Sequence, residues 1–572
     1  MKKRFFALLL AALLLLGSLS ACAANQPQNT DPAAQPGQSA EPSSENKTAA
    51  AASISDENAP SLSKPAAADG EEKTNWLCDE KTTLTISTYD AVNSTWLPPS
   101  NDLWFWQMLE DYTNVHIEWE VSSIAGYDDV VNTRLSAGVD LADIIVSNST
   151  RATKNAGDNG VLVDLAPYWD SCFTNTQAYF DAMNTDLVSV ITNPNGAIYA
   201  LPNTQNPTEG HITFCYNTQW LEELGESVPT TLDEFTALLY KFKEAGDLNH
   251  NGLNDEVILT SSGVDCLTSV LGNAFGLEQY EGWDAFDADE NGVVYPEYTT
   301  DNMRAYLTYL NKLYTDSILD AEICYMGMDQ LAEKIANDRV GCFVFYSGFA
   351  IGYGVLTPKG LEDPLAECFT LGLPLASDYN GNEGYFVRRT VAYGNSGAAI
   401  TSDCSDVELA CKWLDVMYAD PYIMWLRAYG KEGETYELDE NGDVQLITNE
   451  YGEWDAGYLG VGQISLPFIQ TTEELLSDKL IYDWYLDEYE QLRQCKWISA
   501  SVPKISIFSE EEAELRDMCN SETLTCWVES RDRFITGMAN VETDWDSYVA
   551  TMKSMGLDTL TQVWQMVYDR LK

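Results

Sequence analysis

Between Asp247 and Glu256 the chain runs Asp-Leu-Asn-His-Asn-Gly-Leu-Asn-Asp-Glu. Asp247, Asn249 and Asn251 stand at loop positions 1, 3 and 5, a spacing that lets three side-chain oxygens converge on one hard cation. Gly252 at position 6 permits the sharp turn, and the Leu253 carbonyl can serve as the seventh-position ligand. An EF-hand would close with a bidentate Glu at position 12, where this chain has Ile258. Asp255 and Glu256 are the closing carboxylates expected instead. This oxygen set suits calcium better than a transition metal, so a structural calcium is expected. The alternative is an Asx-rich turn without an ion. Against it, three acids in one short loop would otherwise repel one another.

Two other stretches imitate the pattern, Asp287 to Gly292 and Asp439 to Gly442. Each places Asn-Gly before an extended run and lacks the closing Asp-Glu pair, which predicts two hairpin turns. Catalytic constellations are missing. The histidines are His116, His211 and His250, and no G-x-S-x-G, Walker loop or G-x-G-x-x-G occurs. Thirteen cysteines show no C-x-x-C pair and no zinc spacing. An acid pair of the glycosidase type could hide among 89 Asp and Glu, but nothing singles one out. A non-enzyme is therefore expected.

The elements around these residues follow from periodicity. Leu84 to Tyr89 predicts a first strand, and 101–112 a helix with Leu103, Trp106 and Leu109 on one face. Val115, Ile117, Trp119 and Val121 alternate with polar residues, which predicts a half-buried strand. A helix over 128–138 and a short buried strand at 143–146 follow. That β-α-β-α-β order predicts an α/β fold with a mainly parallel sheet, whose ligands sit beyond the carboxyl ends of its strands.

The N-terminus fixes an address. Lys2, Lys3 and Arg4 precede an apolar run from Phe5 to Leu16, too short to span a bilayer, and small residues lead to Cys22. This is the layout of a signal peptide over 1–21. The Leu19-Ser20-Ala21-Cys22 ending resembles the lipobox of bacterial lipoproteins, which implies lipidation of Cys22. The alternative is an ordinary signal in which Cys22 is incidental. From Ala23 to about Asn75 the chain is Ala, Pro, Ser, Gln, Asn and acids, and a disordered linker is expected over 22–78. A formal charge of -57 repels phosphate backbones and anionic headgroups, so no nucleic-acid partner is expected.

Several segments in order resemble the extracellular solute-binding proteins of ABC importers, in particular the oligosaccharide-binding lipoproteins. They are Ser136-Ala137-Gly138 with Leu141 to Ile144, Ile198 to Pro202, Tyr216-Asn217, Pro229 to Phe235 and the cation-like loop. Ala410 to Tyr418, Tyr429 to Gly433 with Tyr436, Phe534 to Gly537, Trp545 to Tyr548 and Met555 to Leu557 continue the series. Ala142 replaces the family's proline. The resemblance implies a two-lobed periplasmic-binding-protein-like (type II) fold over 79–572, with an interlobe cleft and crossing hinge strands. Lobe 1 is expected at about 79–203 and 395–500, lobe 2 at about 204–394 and 501–572.

The function implied is capture of a carbohydrate, an oligosaccharide, by hinged closure and delivery to ABC permease subunits in the membrane. The protein would act as a monomer lipid-anchored to the outer face of the cell membrane. Sixteen Trp and 31 Tyr favour sugar stacking, with Asn, Gln and Arg bonding the hydroxyl rim. The expected ligand contacts are Trp96 after the first strand, Asn148 after the third, Asn203 and Gln205 at the first crossing, Tyr385 and Arg388 before the second, and Trp425. Core burial is the alternative for each aromatic. A binder of peptides or acidic sugars, with Arg388, Arg389 and Arg134 as counter-charge, is the second reading. A secreted carbohydrate-active enzyme is the third.

Overall fold

Ile86 and Leu84 alternate with half-exposed threonines along Thr82–Asp90, and this strand sits inside the first sheet. The computed structural model describes residues 48–50, 75–90, 100–182, 188, 191–205, 212–278, 285–388, 392–440, 442, 444–447, 466–471, 482–499, 502 and 508–571. They fall into two compact units, one of residues up to 206 with 391–481 and one of 207–390 with 482–572.

In the first unit, helix Trp104–Thr113 buries Phe105, Trp106, Leu109 and Tyr112 and ends at Asn114, whose φ of 59° reverses the chain into strand Val115–Ser123. Asn101 and Asp102, expected in the helix, belong instead to a 3-10 turn, Ser100–Asp102, before it. The expected alternation holds for Val115, Ile117 and Trp119, which packs 4.8 Å from the Trp106 ring, and ends at Val121, 42 % exposed. Val115–Ser123 is the edge strand of the sheet. Helix Ile124–Ala137 and strand Ile144–Ser147 follow.

The six-stranded sheet runs in the order Ile469–Gln470, Leu201–Gln205, Ala392–Ile400, Ile144–Ser147, Thr82–Asp90, Val115–Ser123. Thr82–Asp90 is parallel to both its neighbours. Ala392–Ile400 is antiparallel to its own two, Ile144–Ser147 and Leu201–Gln205. Five of the six strands thus run the same way and the sheet is mainly parallel, as expected; the exception is Ala392–Ile400, which returns from far along the chain and enters in reverse. Trp413, Leu414, Tyr418 and Ile423 from helices Val407–Ala419 and Pro421–Tyr429 complete its core with Ile144, Ile145 and Phe105.

The second unit is built on strand Val340–Tyr346, buried along its whole length and so a continuous apolar run. It lies between Ile212–Asn217, antiparallel, and Val257–Ser261, parallel, with Phe369–Leu371 at the far edge. Gly341 is required there, since a Cβ would lie 2.4 Å from the Trp220 ring. Helix Leu232–Ala245 starts at Thr231, whose hydroxyl accepts the Glu234 N–H, while Glu234 reaches back to the Thr230 N–H at 3.0 Å. Both Asn-Gly stretches lie in hairpins, Phe286–Ala288 with Val294–Pro296 and Tyr436–Leu438 with Val444–Ile447.

Two sequence expectations need correction. Residues 482–499, assigned to lobe 1, belong with 207–390. Tyr485 bonds Ser347 at 3.0 Å, Glu488 accepts the Leu371 N–H at 2.9 Å, and Trp497 stacks on Phe386. Those contacts are long-range and carry no local signal. The linker, expected to be without structure over 22–78, contributes strand Thr48–Ala50 to the edge of the Tyr436–Ile447 hairpin. Backbone pairing needs no large side chain, so low apolarity does not preclude it. The twelve described cysteines are unbridged, and burial pushes the Cys404 thiol up to about 11, leaving it protonated and inert.

Candidate ligand-binding edge and cation loop

Strand direction decides which side chains share an edge. Leu201–Gln205 runs opposite to Ala392–Ile400, which itself runs opposite to Ile144–Ser147, so 201–205 is parallel to 144–147 and 82–90. Ile469–Gln470 is parallel to 201–205. Five carboxyl ends therefore meet on one edge, at Asp90, Ser123, Ser147, Gln205 and Gln470. Asn148 lies one residue beyond this edge, and Asn203 and Gln205 lie on the strand that ends there. Such an edge is where open α/β sheets bind ligands.

Asn148 is half-buried and doubly held. The Tyr89 hydroxyl donates to its Oδ1 at 3.3 Å, and its Nδ2 donates to Asp128 Oδ1 at 2.8 Å. Tyr127 packs against Tyr89 with centroids 5.0 Å apart, and its hydroxyl bonds the carbonyls of Ser87 at 2.9 Å and Val146 at 2.8 Å. Burial raises the Tyr127 pKa, so that hydroxyl stays a donor. Sequence reasoning named Asn148 but not Tyr89 or Asp128. The available signal was a tyrosine at a strand's carboxyl end and an acid early in the next helix.

The remaining expected contacts fare differently. Trp96, Arg389 and Cys22 lie outside the described residues. Trp425 is corrected to a core residue. It is 7 % exposed, its indole N–H donates to the Tyr436 hydroxyl at 2.9 Å, and Tyr429 lies 4.7 Å away. Tyr385, in the other unit, is also buried, at 8 % exposure, which leaves little of its ring to stack. Arg388 ends strand Phe386–Arg388, paired with Ser499. Arg134 pairs with Glu120 at 2.8 Å and Asp140 at 3.3 Å.

The 247–256 loop folds inward. Asp247 accepts the N–H groups of Asn251 and Gly252, each at 2.9 Å, and Asn249 Oδ1 accepts Asn251 N–H at 3.1 Å. Asn251 and Asn249 side-chain nitrogens both approach Asp255 Oδ1, at 2.9 and 3.5 Å. Glu256 accepts the Leu248 N–H at 3.0 Å, and Arg339 bonds the other Asp255 oxygen at 3.1 Å. The turn uses φ of 54° at His250 and 84° at Gly252. The Asn249 and Asn251 side chains therefore meet at Asp255, while Asp247 closes the same turn through backbone N–H groups. Among the described residues no cluster of three or more His, Cys, Asp or Glu has metal-binding geometry. The loop's donor set is instead mixed, from carboxylates, amides and a backbone carbonyl, which is compatible with calcium.

Residues 98–424 match the family model of the bacterial extracellular solute-binding proteins. The chain belongs to that family. Among curated solute-binding relatives, the fructooligosaccharide ABC transporter substrate-binding protein FusA of Streptococcus pneumoniae serotype 4 is 22 % identical over 520 residues, covering 86 % of this chain and 91 % of FusA. Lipoprotein LipO of Bacillus subtilis is 22 % identical over 478 residues, 81 % of this chain and 88 % of LipO. The solved complex of S. pneumoniae FusA with kestose superposes with a TM-score of 0.65 at 21 % identity, covering 85 % of this chain and 99 % of that one. A human-milk-oligosaccharide-binding solute-binding protein of Bifidobacterium longum infantis gives 0.66 at 19 % identity, over 86 % and 99 %. FusA has also been solved as an EF-hand mutant with fructo-nystose. The fold is that of the two-lobed α/β solute-binding proteins.

Proposed function

We propose that this solute-binding protein captures an oligosaccharide outside the cell and delivers it to the permease subunits of an ABC importer. The observation that carries the reading is the carboxyl edge of the six-stranded sheet, with Asn148 just beyond one strand end and Asn203 and Gln205 on a strand that ends there. Relatives that bind fructooligosaccharides and milk oligosaccharides support the ligand class. Binding shifts the two lobes towards a closed form through contacts that the open form lacks. No covalent step is involved. Cys22, lipidated after removal of 1–21, anchors the chain as a monomer at the outer face of the membrane, and the linker lets it reach its permease.

Calcium would be held by Asp247, Asn249, Asn251, the Leu253 carbonyl, Asp255 and Glu256. Its role would be to neutralise the loop and hold strand Val257–Ser261 in place. This is supported by the meeting of Asn249 and Asn251 at Asp255 and by the EF-hand of FusA.

A thermal-shift screen of the purified protein against kestose, nystose, maltotriose and mannotriose tests the ligand class. A rise in Tm with unchanged sugar on chromatography is expected. Products would make it an enzyme, and no shift with any sugar would remove the carbohydrate reading.

A further inference from the structure

We infer that Tyr89, Asn148 and Asp128 act as one recognition unit that reads two neighbouring hydroxyls of an uncharged saccharide. This rests on the carbohydrate reading of the same edge and goes beyond it by naming the group recognised. An ionised carboxylate only accepts hydrogen bonds, so Asp128 fixes which end of the Asn148 amide is nitrogen. In that orientation the Tyr89 hydroxyl donates to Oδ1 from the opposite end. Tyr89 is buried and wedged against Tyr127, which is bonded to two strands, so the clamp is part of the sheet rather than of a loop.

An amide carries two N–H donors and two lone pairs on oxygen. Asp128 takes one donor and Tyr89 one lone pair, which leaves one donor and one acceptor of fixed polarity on a half-exposed side chain. A vicinal diol offers the complement, one hydroxyl that accepts beside one that donates. Asp128 is exposed, and its charge favours hydroxyl donors while opposing a ligand carboxylate. Asn148 is the contact residue in this scheme, and Tyr89 and Asp128 are positioning residues.

Calorimetric titration of the intact protein tests the scheme. The trisaccharide from the kestose, maltotriose and mannotriose set that binds is compared with its analogues lacking one hydroxyl of a vicinal pair, and with trigalacturonate. Wild type should prefer the parent sugar over at least one deoxy analogue by about tenfold, the worth of one good hydrogen bond, and bind trigalacturonate more weakly than the parent. Asn148→Ala should abolish that preference, and Asp128→Asn and Tyr89→Phe, which keep volume and packing, should each reduce it with Tm unchanged. If sugar binds and these variants keep the full preference, the trio only braces the fold and the inference fails alone. Trigalacturonate binding as tightly as the neutral sugar would overturn the charge argument and with it the inference. If no sugar binds wild type, the carbohydrate reading and this inference fall together.

Discussion

Replacing Glu488 by Gln should stabilise the protein above neutral pH and do almost nothing near pH 5. Glu488 lies on helix Asp483–Arg493 and docks it on strand Phe369–Leu371, accepting the Thr370 hydroxyl and the Leu371 N–H. Burial pushes its carboxyl up to about 7 from the ordinary 4.5; Glu367 and Asp487 push the same way, and the two hydrogen bonds oppose. A raised folded-state pKa means the folded protein holds the proton more tightly than the unfolded chain does. Glu488 is therefore most favourable below about pH 4.5 and grows less favourable as pH rises to about 7, beyond which the penalty is constant. At about 1.4 kcal/mol for each pH unit between the two values, ionisation costs the folded state about 3 kcal/mol at pH 8. Gln keeps an oxygen for the Leu371 N–H and a donor for the Thr370 hydroxyl, and it removes the charge. For a unit of this size, roughly 2 °C per kcal/mol gives a Tm gain of roughly 6 °C at pH 8 and about 1 °C at pH 5. Differential scanning calorimetry of both proteins across pH 5–8 checks this. A gain that is equal at both pH values, or a loss at pH 8, would refute the titration of Glu488 as the cause.

Two further outcomes concern the same unit. A calcium chelator should lower the Tm of wild type and leave Asp247→Ala unaffected; a chelator-insensitive wild type would remove the ion. Lys334→Met should destabilise by about 3 kcal/mol, because Lys334 and Asp320 form a 2.6 Å pair with side chains only 6 % and 4 % exposed, and the variant strands the carboxylate. Asp320 keeps bonds from the Thr260 hydroxyl and the Glu322 N–H, so the protein should still fold. Equilibrium urea unfolding measures the loss, and a change under 1 kcal/mol would show the pair to be solvent-relaxed.

Much of the local structure was legible along the chain. The Asn-Gly pairs announced hairpins, since turns are set by residues a few positions apart. The loop of Asp247, Asn249 and Asn251 was legible for the same reason. Trp425 and Tyr385 were not, because an aromatic ring that stacks on a sugar and one that fills a core look alike in sequence. Only the Tyr436 hydroxyl facing the Trp425 indole separates the two cases.

What the order of residues settled was chemistry with short range: an oxygen-rich turn, helices and strands, and a family. Tertiary structure alone decided what depends on distant pairings. It reversed Ala392–Ile400 against Ile144–Ser147, moved 482–499 into the other unit, and set Tyr89 and Asp128 on either side of Asn148. Asn148 and Tyr89 are 59 positions apart, and no local periodicity couples two residues at that separation. Sheet register couples them, and register is fixed by burial of the whole core.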